Sequence, residues 1–240
     1  MNTSRFTGVY GKLPAHGDFV HRNLPANFIN LLDEWLQSFI SASQEQLGED
    51  WLDIYLTSPL WRFVFSPGVI DQHQWAGVIL PSVDRVGRYF PFSVATKIQL
   101  QTNPMEFSAM QTLWFEGVEQ ACLDALEGKV VIDDLVDRIN RIALVDSSIY
   151  QPGTPSAALS SRIIVEMDFE EQSPAAVYPY LLDSFAVQAY KSYSAWSTRG
   201  SERISPCAFV SQGLPDIGGV AAMLDGQWAH WHWQQPHVLK

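Results

Sequence analysis

The sequence predicts an α/β fold, with a mixed central sheet and helices on both of its faces, and three observations lead to it. Residues 75–80 and 92–100 are close to continuously apolar, which implies strands covered on both faces rather than one. Phe28, Leu31, Leu32, Trp35, Leu36, Phe39 and Ile40 recur at three- and four-residue spacing, the stripe of a helix with one face on a core. Two further helical stretches, 104–126 and 132–144, supply enough apolar residues in phase to cover a sheet face.

The elements follow in order. Residues 6–13 alternate loosely around Gly8 and Gly11 and suit a first strand, which delivers the chain into Gly11-Lys12-Leu13-Pro14-Ala15-His16-Gly17-Asp18-Phe19, a loop by its density of turn formers. Pro25 suits the first turn of the amphipathic helix and Gly48 its end. Residues 51–55 read as a helical turn and 61–65 as a strand. In that strand Arg62 alternates away from Trp61 and Phe63, in a direction that could reach the loop around Asp84. The strand over 75–80 enters a connection, 81–91, and the strand over 92–100 leaves it. The helix over 104–126 carries Phe107, Met110, Leu113, Trp114, Val118, Ala121, Cys122 and Leu126 in phase, and the next runs over 132–144.

Residues 151–161, rich in Pro, Gly, Ser, Thr and Ala, form a connection and the one credible internal boundary. Beyond it the pattern gives a strand over 162–168 and a helix over 174–191, with Pro179 early enough to kink rather than end it. Strands over 193–197 and 204–211 are joined through Arg199-Gly200-Ser201. A short helix then runs from Gly213-Leu214-Pro215 to Leu224, with Asp216 at its positive end. Residues 1–226 thus make one domain, and 227–240 a tail holding Trp228, His230, Trp231, His232 and Trp233.

Composition removes several function classes. Against 26 acidic residues stand 15 basic ones, a net charge of -11 that repels phosphate backbones and anionic lipid, so neither nucleic acid nor a membrane is an expected partner. The amino terminus lacks the apolar core of a signal peptide and no run reaches membrane-spanning length, so a cytoplasmic location is expected. Cys122 and Cys207 lie in no metal-ligand spacing and are expected to be reduced and buried. His230 and His232 would share a side of an extended segment, but no carboxylate or cysteine joins them; the tail reads as tryptophans stacked on the domain, with no metal and no cofactor.

The chemistry-bearing residues concentrate in Pro81-Ser82-Val83-Asp84-Arg85-Val86-Gly87-Arg88-Tyr89-Phe90-Pro91, one acid and two arginines held out between buried strands. Asp84 with Arg85 and Arg88 can lock this loop or present a charged fork to a partner, and the spacing leaves both open. The loop near the start adds Lys12, His16 and Asp18. No phosphate-cradle, nucleophile-elbow, metalloprotease-helix, dinucleotide or calcium-loop motif occurs. Ser82 with His16 and Asp18 or Asp84 is the remaining nucleophile arrangement, and spacing gives it no support. The expectation is a protein-binding module and not an enzyme.

On these residues the chain resembles the TagF family of type VI secretion system-associated proteins. The resemblance rests on the stretches Gly11 to Phe19 and Pro81 to Pro91, on Trp61-Arg62-Phe63, and more loosely on Trp196 and Gly213-Leu214-Pro215, spread from about Gly8 to Leu224. It implies a three-layer α/β sandwich. It further implies a post-translational repressor of type VI secretion that binds and sequesters the system's forkhead-associated scaffold protein. Some relatives carry a fused phosphatase domain, for which this chain is expected to be too short. The family offers no catalytic residues to carry over, so Lys12, His16, Asp18, Arg62, Ser82, Asp84, Arg85 and Arg88 stand as candidates for fold and partner binding. The alternatives are a structural part of the secretion apparatus and, further off, a hydrolase.

Overall fold

The structure, a computed structural model, describes residues 7–99, 101–145, 163–167 and 173–239, all but the side chain of Pro174 among them. Seven strands form one sheet: β1 (Thr7–Gly11), β2 (Val20–Arg22), β3 (Trp61–Phe65), β4 (Gln74–Leu80), β5 (Phe92–Ile98), β6 (Tyr193–Thr198) and β7 (Cys207–Gln212), in the order β2-β1-β5-β4-β3-β6-β7. Every ladder is antiparallel. The α/β class and the sandwich therefore hold, but the sheet is not mixed. The physical reason lies in the connections. β4 and β5 are joined by the 81–91 loop alone, too short for the crossover that parallel neighbours need.

Helices cover both faces, and the pleat sorts the side chains between them. On one face Tyr10, Trp61, Phe63, Phe65, Trp75, Ile79 and Trp196 pack against α1 (Ala26–Leu47), α2 (Trp51–Leu56) and α7 (Ala222–Asp225). On the other, Val9, Val64, Ala76, Val78, Leu80, Phe92, Val94 and Ala195 meet α3 (Pro104–Met110), α4 (Thr112–Leu126), α5 (Ile132–Arg141) and, through Ala186, α6 (Tyr178–Tyr190). The first face is built from large rings. The indole N–H groups buried there find backbone acceptors: Trp35 Nε1 of α1 donates to Pro215 O at 3.0 Å and Trp61 Nε1 to Met223 O at 3.0 Å.

Of the amphipathic stripe Phe28, Leu32, Trp35, Leu36 and Phe39 are buried and Leu31 and Ile40 half-buried at its margins, and α1 ends where Gly48 adopts a positive φ. The helix expected over 104–126 is two helices. It breaks at Gln111, whose buried amide exchanges two hydrogen bonds with the backbone of Val145, 2.8 Å to its oxygen and 2.9 Å from its nitrogen. Asn103 caps the first piece, its Oδ1 accepting from Met105 N and Glu106 N. The helix expected over 174–191 opens as a 3-10 turn, Pro174–Val177, and Pro179 sits in the first turn of α6. The final helix is a 3-10 turn, Ile217–Gly219, capped by Asp216, followed by the single turn of α7.

Of the strand expected over 162–168, residues 163–167 are described and belong to no strand; their β-branched side chains have no neighbouring strand among the described residues to pair with, and Ile164 is exposed. The boundary at 151–161 lies outside the described residues. The tail turns back on the domain: Trp228 and Trp233 contact Phe209, and Trp231 Nε1 donates to Asp225 Oδ2 at 2.8 Å. Cys122 and Cys207 are free thiols, the first buried and the second half-buried. Among the described residues no helix is long and apolar enough to cross a membrane.

Candidate functional site: a latch between two loops

β1 and β5 are neighbours with Gly11 opposite Phe92, so the loop leaving β1 and the loop entering β5 emerge side by side from one end of the sheet. They touch at Gly11, which has φ +133° and a Cα so close to the next loop that a Cβ would lie 2.1 Å from Pro91 O. Only glycine fits there. The two stretches that carry the family resemblance, some seventy residues apart in sequence, are thereby brought to one place.

Asp84 is the centre of that place. It is 3 % exposed and takes four donors: Oδ1 accepts from Val86 N at 3.0 Å and Arg88 N at 2.9 Å, while Oδ2 meets Arg88 Nε at 2.7 Å and Lys12 Nζ at 3.2 Å. Burial by itself would raise the carboxyl's pKa. The hydrogen bonds from the Arg88 backbone and guanidinium, from the Lys12 ammonium and from Val86 N outweigh that and hold it well below the usual carboxylate range. Lys12 is buried with it, so the pair is a compensated charge cluster inside the domain.

The rest of the latch is backbone. Ser82 Oγ donates to Lys12 O at 2.7 Å, and Arg85 N donates to His16 O at 2.8 Å. Arg88 Nη2 donates to Gly17 O at 2.6 Å and lies 4.0 Å from Asp18 Oδ1. Tyr55 of α2 clamps Ser82 from below, its OH donating to Ser82 O at 3.1 Å and accepting from Ser82 N at 3.0 Å. Burial pushes the Tyr55 phenol well above its ordinary pKa, so it keeps the proton it donates. Beside the latch, Phe19 stacks on Tyr10 with ring centroids 5.7 Å apart and meets Phe90 edge-on at 4.9 Å, with Lys12 Nζ 5.0 Å from its centroid.

The base is closed, and the tip is not. Arg85, Val86, Gly87 and Arg88 are exposed, Val86 at 66 %, and the Arg85 guanidinium enters no ion pair among the described residues. Asp18 and the half-exposed Phe19 lie on the facing loop. The site thus combines a rigid floor with an outward surface of cationic and apolar groups.

Of the residues singled out from sequence, Lys12, His16, Asp18, Ser82, Asp84, Arg85 and Arg88 all belong to these two loops. Arg62 does not reach them. It points to the opposite face of the sheet, where its guanidinium forks onto Glu119 of α4, Nη2 to Oε2 at 2.9 Å, and lies over the Phe115 ring. Alternation gave its direction correctly, but the acid that meets it comes from a helix whose register on the sheet no local pattern encodes. Ser82 Oγ is spent on a carbonyl, and His16 enters the latch through its backbone. Among the described residues no three His, Cys, Asp or Glu side chains group as a metal site. Sequence reasoning missed Tyr55; its one signal was an aromatic in a short helical turn, which core packing explains equally well. The ring cluster of Tyr10, Phe19 and Phe90 was missed as well; its signal was that Tyr10 precedes the first motif stretch, Phe19 ends it and Phe90 lies within the second.

Residues 8–142 match the family described as TagF N-terminal domain, type VI secretion system-associated, a span that contains both latch loops. The crystal structure of PA0076 from Pseudomonas aeruginosa PAO1 superposes with a TM-score of 0.72 at 35% identity, covering 98% of this chain and 97% of that one. No curated protein sequence matches the chain.

Proposed function

This chain belongs to the TagF family of type VI secretion-associated proteins, and from that premise we propose that it is a cytoplasmic, post-translational negative regulator of type VI secretion that binds the system's forkhead-associated scaffold protein and withholds it from assembly. The observation that carries the reading is the exposed Arg85-Val86-Gly87-Arg88 tip on its buried Asp84 and Lys12 base. A floor fixed by four donors to one carboxylate leaves little disorder to lose on binding, which is how a small loop gives useful affinity. An arginine with no ion pair among the described residues, beside an exposed valine, supplies a guanidinium fork and an apolar contact, a combination that protein interfaces favour. Regulation is then mass action: affinity and abundance set the fraction of scaffold left free. No bond is made or broken, and the engagement of Ser82 Oγ with Lys12 O supports a role without chemistry.

The test is size-exclusion co-elution of the purified chain with the purified scaffold. Co-elution that is lost with Arg85→Glu, in a variant whose melting temperature is unchanged, supports the reading. Separate elution of the two wild-type proteins at concentrations above about 50 µM overturns it, since a sequestering complex must be tighter than that.

A further inference from the structure

The two edges of the sheet are finished differently. β2 is three residues long, and its exposed His21 and Arg22 blunt it, with Arg22 Nε 3.0 Å from Asp133 Oδ1. β7 is six residues, Cys207-Ala208-Phe209-Val210-Ser211-Gln212, with no charge and no proline. Its inner side is paired to β6 along its whole length, from Thr198 opposite Cys207 to Tyr193 opposite Gln212. Its outer side makes no backbone hydrogen bond among the described residues. An antiparallel strand gives alternate residues to each neighbour, so half of its N–H and C=O groups face outward. An edge of that length without a blunting device is a template for another strand.

We propose that β7 is a pairing edge whose occupant is β7 of a second copy of this chain, antiparallel about a two-fold axis perpendicular to the sheet. Three properties select a second copy. A strand edge paired antiparallel with its own twin is self-complementary, each outward donor meeting an acceptor of the same strand in the other copy. The net charge of -11 makes two copies repel over most of their surface, and the uncharged β7 is where they approach without setting acid against acid. Third, α6 is tied to β6 beside this edge by the hydrogen bond from Tyr193 Oη to Asp183, and it exposes Tyr178, Leu182 and Phe185 at four- and three-residue spacing. A perpendicular two-fold keeps the α6 helices of both copies on one face of the joined sheet.

The test is the solution mass by light scattering across a dilution series from about 1 to 200 µM, a range in which a pair of moderate affinity passes from dissociated to formed. The expected mass rises from 27.0 kDa toward twice that value, with β7 amides exchanging more slowly as concentration rises. Glutamate at the exposed positions Ala208 and Gln212 weakens association at least tenfold by placing like charges across the axis, while Arg85→Glu leaves it unchanged. A wild-type mass of 27.0 kDa throughout overturns the proposal. So does a dimer that dissociates on Phe185→Glu but shows no protection of β7 amides, because its interface then lies elsewhere; the exchange measurement on the wild-type chain decides the matter even where a variant fails to fold.

Discussion

Asp84 and Arg85 are consecutive residues in opposite circumstances: the carboxylate is buried under four donors, while the exposed arginine beside it lays its guanidinium over Gly17 of the facing loop and enters no ion pair among the described residues. The same division separates Gly11 from Gly87. Both have positive φ, but a Cβ at Gly11 would strike Pro91 O at 2.1 Å, and one at Gly87 would meet nothing within 4 Å. The comparison teaches that a charged motif can hold its fold and offer a surface at once, provided the two jobs fall on different residues. Here five residues, from Asp84 to Arg88, carry the chain from one to the other.

Substitutions that exchange the character of base and tip test the division. Gly11→Ala is expected to have the largest effect, since β1 and β5 would have to part; the protein should fail to accumulate in soluble form, or lose its cooperative unfolding transition. Asp84→Ala follows. It leaves Lys12 buried without its counter-charge, and calorimetry should show a melting temperature lower by on the order of 10 °C.

The Asp84 contribution also has a pH signature. Its folded pKa lies below the value in the unfolded chain, about 3.9, so the stabilisation is fully present above that pH and is lost as pH falls toward the folded value. The gap in melting temperature between wild type and Asp84→Asn should therefore be constant from pH 7 to about 5 and narrow below pH 4. A gap that widens on acidification would place the stabilising charge elsewhere.

At the tip the effects shrink. Gly87→Ala meets no atom and costs only the strain of a positive φ, about 1 kcal/mol, or roughly 2–4 °C in a chain of this size. Arg85→Glu should change stability by less than about 0.5 kcal/mol, measurable by urea unfolding. If it destabilises as Asp84→Ala does, base and tip are not separable.

Much of this division was legible in the sequence, and the parts that were not share a cause. The loop between two apolar runs, the Asp84 and Arg88 pair four residues apart, and the turn-rich loop holding Lys12 are local patterns, and all three appear in the structure. Gly11 read only as part of the first strand and its turn-rich loop, because the Pro91 carbonyl that demands glycine there is distant in the chain. What escaped depends on residues distant in the chain. Gln111 interrupts a continuous helical phase because Val145 offers it two backbone hydrogen bonds. Arg62 finds Glu119 rather than Asp84 because α4 crosses that face of the sheet. Residues 163–167 have the composition of a strand and no ladder among the described residues, since propensity cannot supply a partner. The antiparallel sheet escaped for the same reason: burial on both faces is shared by parallel strands and by antiparallel strands covered by two helical layers.

The most direct test of the separation between base and tip is the dissociation constant for the forkhead-associated scaffold, measured by calorimetry for wild type, Arg85→Glu and Gly87→Ala beside their melting temperatures. The account predicts at least tenfold weaker binding for Arg85→Glu at an unchanged melting temperature, and for Gly87→Ala a small loss of stability with the affinity within about threefold of wild type. Wild-type affinity in a folded Arg85→Glu variant would contradict it and would remove the tip of the central loop from the binding surface.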